Sequence, residues 1–315
     1  MKIKRILILG GTGFVGRHLV PILSAQGHQL TLLSRNREQH RDLELYVNTR
    51  VISANIYDIQ TLERHMIGMD AVINLIGILN EPGFNGKGFF RAHVELTQKI
   101  ILAMEKTGIS RLIQISSLRA GEGTSYYLKS RGEAEHCIKK SRLSWSLLQA
   151  SVIFGSGDGF FMRFAKLLRW IPIMPLACPK ARFAPVFVGD VVRAIAQCLA
   201  RDSTKGQTYE LFGPERMSLR DAVTYTCEKL GLHRWVIPLP YVLGYLQAAC
   251  LQWFPGKPIS LDNWRSLQLD SIGKANGLLA LDLSPTTIDS VMPYVFKNEM
   301  TKQKRLDRSR LQFRS

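Results

Sequence analysis

The run "ILILGGTGFVGRHLV" (6–20) leaves few folds open to this chain. An apolar strand-like stretch, a turn carrying Gly10, Gly11, Gly13 and Gly16, and a helical pattern follow one another without interruption. Glycines at these places let a strand turn sharply into a helix. The early ones bring the backbone close to a bound pyrophosphate, and the last lets the helix lie against the sheet. The N–H groups of the helix N-terminus then face the phosphates. This assigns Gly10, Gly11, Thr12, Gly13, Phe14, Val15 and Gly16 to a dinucleotide site, against the simpler reading of a glycine turn that binds nothing.

The rest of the first half fits that opening. Segments 3–10, 29–33, 50–54, 70–77, 111–116 and 145–150 are short and nearly continuously apolar, as parallel strands covered on both faces must be. Helical patterns at 14–26, 89–107 and 126–141 separate them. Such alternation predicts an α/β fold: a Rossmann-type, doubly wound parallel sheet with right-handed crossovers. Residues 1–150 form the nucleotide half in this reading. After "FGSGDG" (154–159) the rhythm loosens, and 151–296 read as a smaller, less regular substrate or partner lobe. Its expected elements are a strand-helix at 186–200, a strand at 207–211 and helices near 218–230, 241–254 and 284–296. Residues 297–315 form a basic tail with seven basic and two acidic residues.

At the end of the second strand, where an NAD site usually carries an acid for the ribose hydroxyls, stand Ser34, Arg35 and Arg37. Guanidinium groups there suit a 2′-phosphate, so NADP(H) is the expected cofactor, with NAD(H) as the alternative. The bland reading is a solvated charge run. Asn55 and Ile56 follow the third strand, where an adenine edge would lie. Leu75, Ile76 and Gly77 follow the fourth, beneath the nicotinamide ribose.

Lys and Arg outnumber Asp and Glu by 42 to 25, a net charge of +17 that favours anionic partners. No zinc-finger spacing, RNP-type strand or basic zipper points to nucleic acid. The five cysteines form no C-x-x-C pair and the histidines show no ligand spacing, so no metal is expected. Segment 159–175 sets Phe160, Phe161, Phe164, Leu167, Leu168 and Ile171 near helical spacing, with Arg163, Lys166 and Arg169 between them. The simpler reading turns this stripe toward the cleft; the alternative lays it on an anionic bilayer. The uncharged run 236–255 is broken by Pro238 and Pro240, which leaves it too short to span a membrane.

Taken together, "GGTGFVG", "AVINLIG", Tyr127 four residues before Arg131, "PVFVGDVVRAI" (185–195) and "GQTYELFGPERMSLRDAV" (206–223) resemble the extended or atypical short-chain dehydrogenase/reductases. The likeness is greatest to the branch that holds the nucleotide-binding accessory subunit of respiratory complex I and its bacterial relatives. It implies a bound NADP(H) with a structural or accessory role in a respiratory or quinone-related assembly. The alternatives are an NADP(H)-dependent oxidoreductase of an apolar substrate, such as a quinone precursor, and a nucleotide-sensing regulator. With no presequence before the first strand, the resemblance implies a cytoplasmic protein, peripheral at the inner face of the cell membrane.

Catalytic relatives use a tyrosine, a lysine one turn on and a serine after the fifth strand. By that pattern Tyr127 would be the proton donor or acceptor, and Arg131 would replace the lysine, keeping its charge but not its shape. Both would also border the cofactor. The serine position falls on Leu118, leaving Ser116 or Ser117 to substitute, and Gln149-Ala150 replaces the usual Arg-Pro. The resemblance therefore implies a site that holds its cofactor without fast hydride transfer.

Overall fold

Every residue of Ile6–Leu9 is fully buried, because this strand lies in the middle of a sheet with helices on both faces. Ile6 and Ile8 point into one apolar layer and Leu7 and Leu9 into the other, the period of two that a strand imposes. The structure is a computed structural model and describes residues 4–254 and 256–298. The basic tail read from the sequence therefore lies, from residue 299 on, outside the described residues.

The first six strands are β1 (Arg5–Leu9), β2 (Gln29–Ser34), β3 (Thr49–Ser53), β4 (Ala71–Asn74), β5 (Arg111–Ser117) and β6 (Ser144–Ala150). The short strands β7 (Ile153–Phe154), β8 (Ile173–Leu176), β9 (Arg182–Phe183) and β10 (Val186–Phe187) follow. β11 (Gln207–Leu211), β12 (Met217–Ser218) and β13 (Trp235–Pro238) complete the set. Seven of them form one parallel sheet in the order β11-β6-β5-β4-β1-β2-β3. The order reverses between β1 and β4, which opens a crevice at their C-terminal ends where ligands of such sheets bind. The fold is thus the Rossmann-type α/β architecture, and β11, from the second half of the chain, closes its edge against β6.

Helix α1 (Phe14–Ala25) covers one face of the sheet and meets α7 (Val188–Ala200) there. On the other face lie α2 (Ile59–Met66), α4 (Leu96–Thr107) and α5 (Tyr126–Lys140). The helix expected at 89–107 begins as α3 (Lys87–Phe90), passes through a wide turn at Arg91–Glu95 and continues as α4. β4 ends sooner than its apolar run, because Asn74 Oδ1 accepts the Ile76 N–H and turns Leu75–Gly77 out of the sheet.

The second lobe packs α6 (Phe161–Trp170), α8 (Leu219–Lys229), α9 (Tyr241–Leu251), α10 (Leu261–Ser266) and a helix at 288–298 around three smaller cores, while α11 (Gly277–Ala280) lies against β11 and joins the main core through Leu278. The apolar stripe of α6 faces these cores: Phe161, Met162, Ala165 and Leu168 are buried, and Phe160 and Phe164 pack beside them. Those aromatics are held within the fold and do not face a bilayer.

Candidate functional site

The turn between β1 and α1 is built by close contacts. Gly10 adopts φ +76°, and a Cβ on it would press on Ile76 N and the Leu75 carbonyl carbon at 3.1 Å. A Cβ at Gly16 would lie 2.5 Å from Gly11 Cα and nearer still to its carbonyl. The turn closes through Gly13 N–H donating to Gly10 O at 3.0 Å. Gly13, the N-cap of α1, supplies no side-chain cap, and the first helical turn carries no acid. The N–H groups of Phe14, Val15 and Gly16 thus sit at the positive end of the helix dipole, beside the crevice, an arrangement suited to phosphate. Thr12 O accepts from Arg17 Nε at 3.2 Å, and Arg17 pairs with Asp42.

Beyond β2, the charge run sorts itself. Arg37 donates twice to Glu44, at 3.2 and 2.9 Å, and Glu44 also accepts the Val51 N–H. The Arg37 guanidinium beside Glu44, chiefly through its hydrogen bonds, holds that carboxyl below the usual carboxylate range. Arg41 pairs with Glu38 at 3.1 Å. Arg35 is exposed and forms no ion pair among the described residues. Ser34 is buried and its hydroxyl bonds within its own loop, to the Asn36 backbone at 3.3 Å. Asn55 is exposed and uses Oδ1 to accept the Tyr57 N–H at 3.1 Å, while Ile56 packs against the core. Of the two arginines singled out in the sequence, Arg37 is taken up by Glu44, and Arg35 forms no ion pair among the described residues.

At the ends of β4 and β5 the structure brings Leu75–Gly77, Ser116 and Arg131 together. Arg131 is buried, and its Nη1 donates to Ile76 O at 3.3 Å and Ile115 O at 3.1 Å. Only a glycine at 77 leaves room for it, since a Cβ there would collide with Arg131 Nη2. Arg131 thus lies under the crevice, pinned to the sheet ends, with its guanidinium carbon 5.6 Å from the centre of the Tyr127 ring. Ser116 Oγ and Arg131 Nε are buried without a hydrogen-bond partner among the described residues. Buried polar atoms of this kind are costly unless a ligand or water meets them. Ser117 turns its hydroxyl to the Leu118 carbonyl at 3.3 Å, and Leu118 is buried. Ser116 and Ser117 are therefore not equivalent.

Three residues of the site had no signal in the sequence. His93, on the wide turn before α4, packs edge-on to Tyr127 with ring centres 5.6 Å apart. Its Nε2 accepts the Ile78 N–H at 3.2 Å, so Nδ1 carries the proton and donates to Ser130 Oγ at 2.8 Å. Ser130 Oγ then donates to Tyr127 O at 2.9 Å. Burial, with help from the Arg131 charge, pushes His93 from 6.5 down to about 2. Asp262, from α10, receives Ser125 Oγ at 2.9 Å and the N–H groups of Tyr126 and Tyr127 at 2.6 and 3.1 Å. Glu81, also buried, holds Gly86 N and Gly88 N at 2.7 Å each. Each contact joins positions far apart or in irregular loops, where spacing carries no information.

The neutral His93 gives a pH signature. Its native form stays unprotonated while the unfolded chain takes up a proton below 6.5, so stability is lost as pH falls from 6.5 toward 2. Going from pH ~7.5 to ~5 should cost the wild type about 2 kcal/mol more than it costs His93→Gln. Urea midpoints at the two pH values measure this; equal losses in both proteins would count against it.

Residues 10–156 match the NAD(P)H-binding family. The sheet topology and the glycine turn of this segment agree with that match. More particularly, the chain is related to the mitochondrial NADH dehydrogenase [ubiquinone] 1 alpha subcomplex subunit 9 of Arabidopsis thaliana, being 27% identical over 84% of this chain and 68% of that one. It is also similar to a ceramide reductase of Caulobacter vibrioides (28% identical; 90% and 86% covered). The photosystem II assembly factor Ycf39 of Synechocystis is 23% identical, with 96% and 94% covered. The chain spans 55% to 68% of the length of the mitochondrial subunits it matches. In fold it superposes on MoeE5 in complex with UDP-glucuronic acid and NAD, with a TM-score of 0.73 at 17% identity, covering 94% of this chain and 99% of that one.

Proposed function

We propose that this protein holds NADP(H) in the β1–α1 crevice as a structural or sensing nucleotide and serves as an accessory factor for a respiratory or quinone-related assembly. The observation that carries this reading is the uncapped N-terminus of α1, pressed onto a turn that only glycines can form. Gly10–Gly16 would bind the pyrophosphate, Arg35 the 2′-phosphate, Asn55 and Ile56 the adenine side, and Leu75–Gly77 the nicotinamide ribose. When bound, the nucleotide supplies a hydride that can be donated or withheld. Arg131, held by two backbone carbonyls, would support the ribose from below and is poorly placed to relay protons, since it keeps its own. Relatives whose names describe a respiratory-enzyme subunit and an assembly factor support the accessory role. It puts the protein peripherally on the cytoplasmic side of a membrane.

A second reading is favoured by Tyr127, which sits between Phe89, His93 and Arg131, and by the ceramide reductase relative. In it, Tyr127 would hold the proton for the oxygen of an apolar carbonyl or quinone, and Ser116 Oγ would donate a hydrogen bond to that same oxygen. One experiment separates the two. Wild type and Arg35→Ala are titrated with NADPH and NADH, then assayed with a short-chain ubiquinone. The accessory reading expects Arg35→Ala to weaken NADPH roughly tenfold and NADH little, since one charge-assisted contact is lost, with no quinone turnover. Turnover abolished by Tyr127→Phe would replace it with the enzyme reading, and equal weakening of both nucleotides would remove the 2′-phosphate assignment.

A further inference from the structure

We propose that the outer face of α9, continued over the β8–β13 ribbon, docks on the surface of an anionic lipid bilayer. From 241 to 254 the chain carries no charged residue. α9 buries only Gly244 and Ala248 completely, against Ala177 and Trp264. Its other face is open to solvent: Val242 is 64% exposed, Leu246 50%, and Trp253, just beyond the helix, 71%. A surface helix of a globular domain normally puts charge there. Gln247 ties α9 to the ribbon by donating to Pro175 O at 2.7 Å and accepting the Ala177 N–H at 3.1 Å. On the ribbon, Trp235 lies opposite Ile173 and Ile237 opposite Pro175, and all four are exposed. Apolar surface on this scale marks a contact site.

Charge chooses the occupant. Neither 159–189 nor 229–261, which supply α6, the ribbon and α9, contains a single Asp or Glu. Lys166 and Lys180 are exposed, and Arg169 is partly so. Exposed basic side chains in the same acid-free segments as exposed tryptophan and aliphatic side chains are the chemistry of headgroup-level insertion into an anionic membrane. The tail is a poor alternative, since residues 299–315 carry six basic side chains and the segments that build the face contain no acid to meet them. No helix among the described residues is long and apolar enough to cross a membrane, so contact through this face is peripheral.

This inference deepens the membrane-side role above, but it stands or falls independently of the nucleotide. Its test uses the full chain with phosphatidylcholine vesicles, plain or containing about one third phosphatidylglycerol. Sedimentation should show at least roughly tenfold stronger partitioning to the anionic vesicles. The combined variant Val242→Ser, Leu246→Ser, Trp253→Ser should lose that partitioning, with circular dichroism and NADPH retention unchanged. Lys166→Glu with Arg169→Glu should erase the anionic preference. No partitioning by the wild type, or partitioning that survives the combined variant, overturns the proposal. So does a concentration-dependent dimer that the variant abolishes, which would make this face a contact between copies.

Discussion

Gly16→Ala is expected to lower NADPH affinity by about 100-fold, roughly 2.7 kcal/mol, while leaving the chain folded. The new methyl would overlap the Gly11 backbone, which no rotamer change can move aside. The strain is relieved only if α1 lifts away from the turn. That shift carries the N–H groups of Phe14, Val15 and Gly16 off the phosphate position, and electrostatic contacts of this kind tolerate little misplacement. The sheet itself has a buried core on both faces, so overpacking at one helix start should cost about 1–3 kcal/mol of stability and not the fold. Gly13→Ala provides the contrast. Its Cβ would meet only the Gly10 carbonyl oxygen, at 3.2 Å, and a small adjustment accommodates it. Calorimetric titration of both variants checks the ordering. Wild-type affinity in Gly16→Ala would sever the link between this turn and the nucleotide.

How much of this was legible in the sequence follows from what kind of contact each feature rests on. The β1 strand and its glycine turn were readable because both are local: an apolar run buried on two faces, then backbone shapes that only glycine tolerates. β11 was also found at 207–211, although only Leu211 of it is buried. Arg35 and Arg37 looked alike in the chain, yet Glu44, seven residues beyond Arg37, takes one and leaves the other. The apolar stripe of α6 was visible, but a stripe does not say whether protein or lipid covers it; packing against α8 settles that it is protein. α9 shows the converse, an uncharged run whose sequence suits a buried or an interfacial helix and which the fold leaves largely open. His93 and Asp262 gave no signal, because each acts on Tyr127 across a separation that no local pattern encodes.

Asp262→Ala should destabilise the protein by about 3 kcal/mol, because it removes a buried carboxylate that accepts three hydrogen bonds. α5 begins at Tyr126, and its first N–H groups have no partner within the helix. Ser125 caps only Leu128 N, at 3.3 Å; Tyr126 N and Tyr127 N depend on a carboxylate supplied from the second lobe. A negative charge at a helix N-terminus also meets the positive end of its dipole. Losing Asp262 therefore leaves two N–H groups and the buried Ser125 hydroxyl without their acceptor, and loosens the link between α5 and α10. Asp262→Asn, which keeps the shape but not the charge or both acceptors, should fall about midway. Denaturant midpoints give the stability change, and amide exchange at Tyr126 and Tyr127 shows where it originates. Because Tyr127 and Arg131 ride on the same helix, the loosened variant should also bind nucleotide less tightly without any change to the glycine turn. If Asp262→Ala stays within about 1 kcal/mol of wild type and those amides exchange no faster, the second lobe does not hold the tyrosine helix in place.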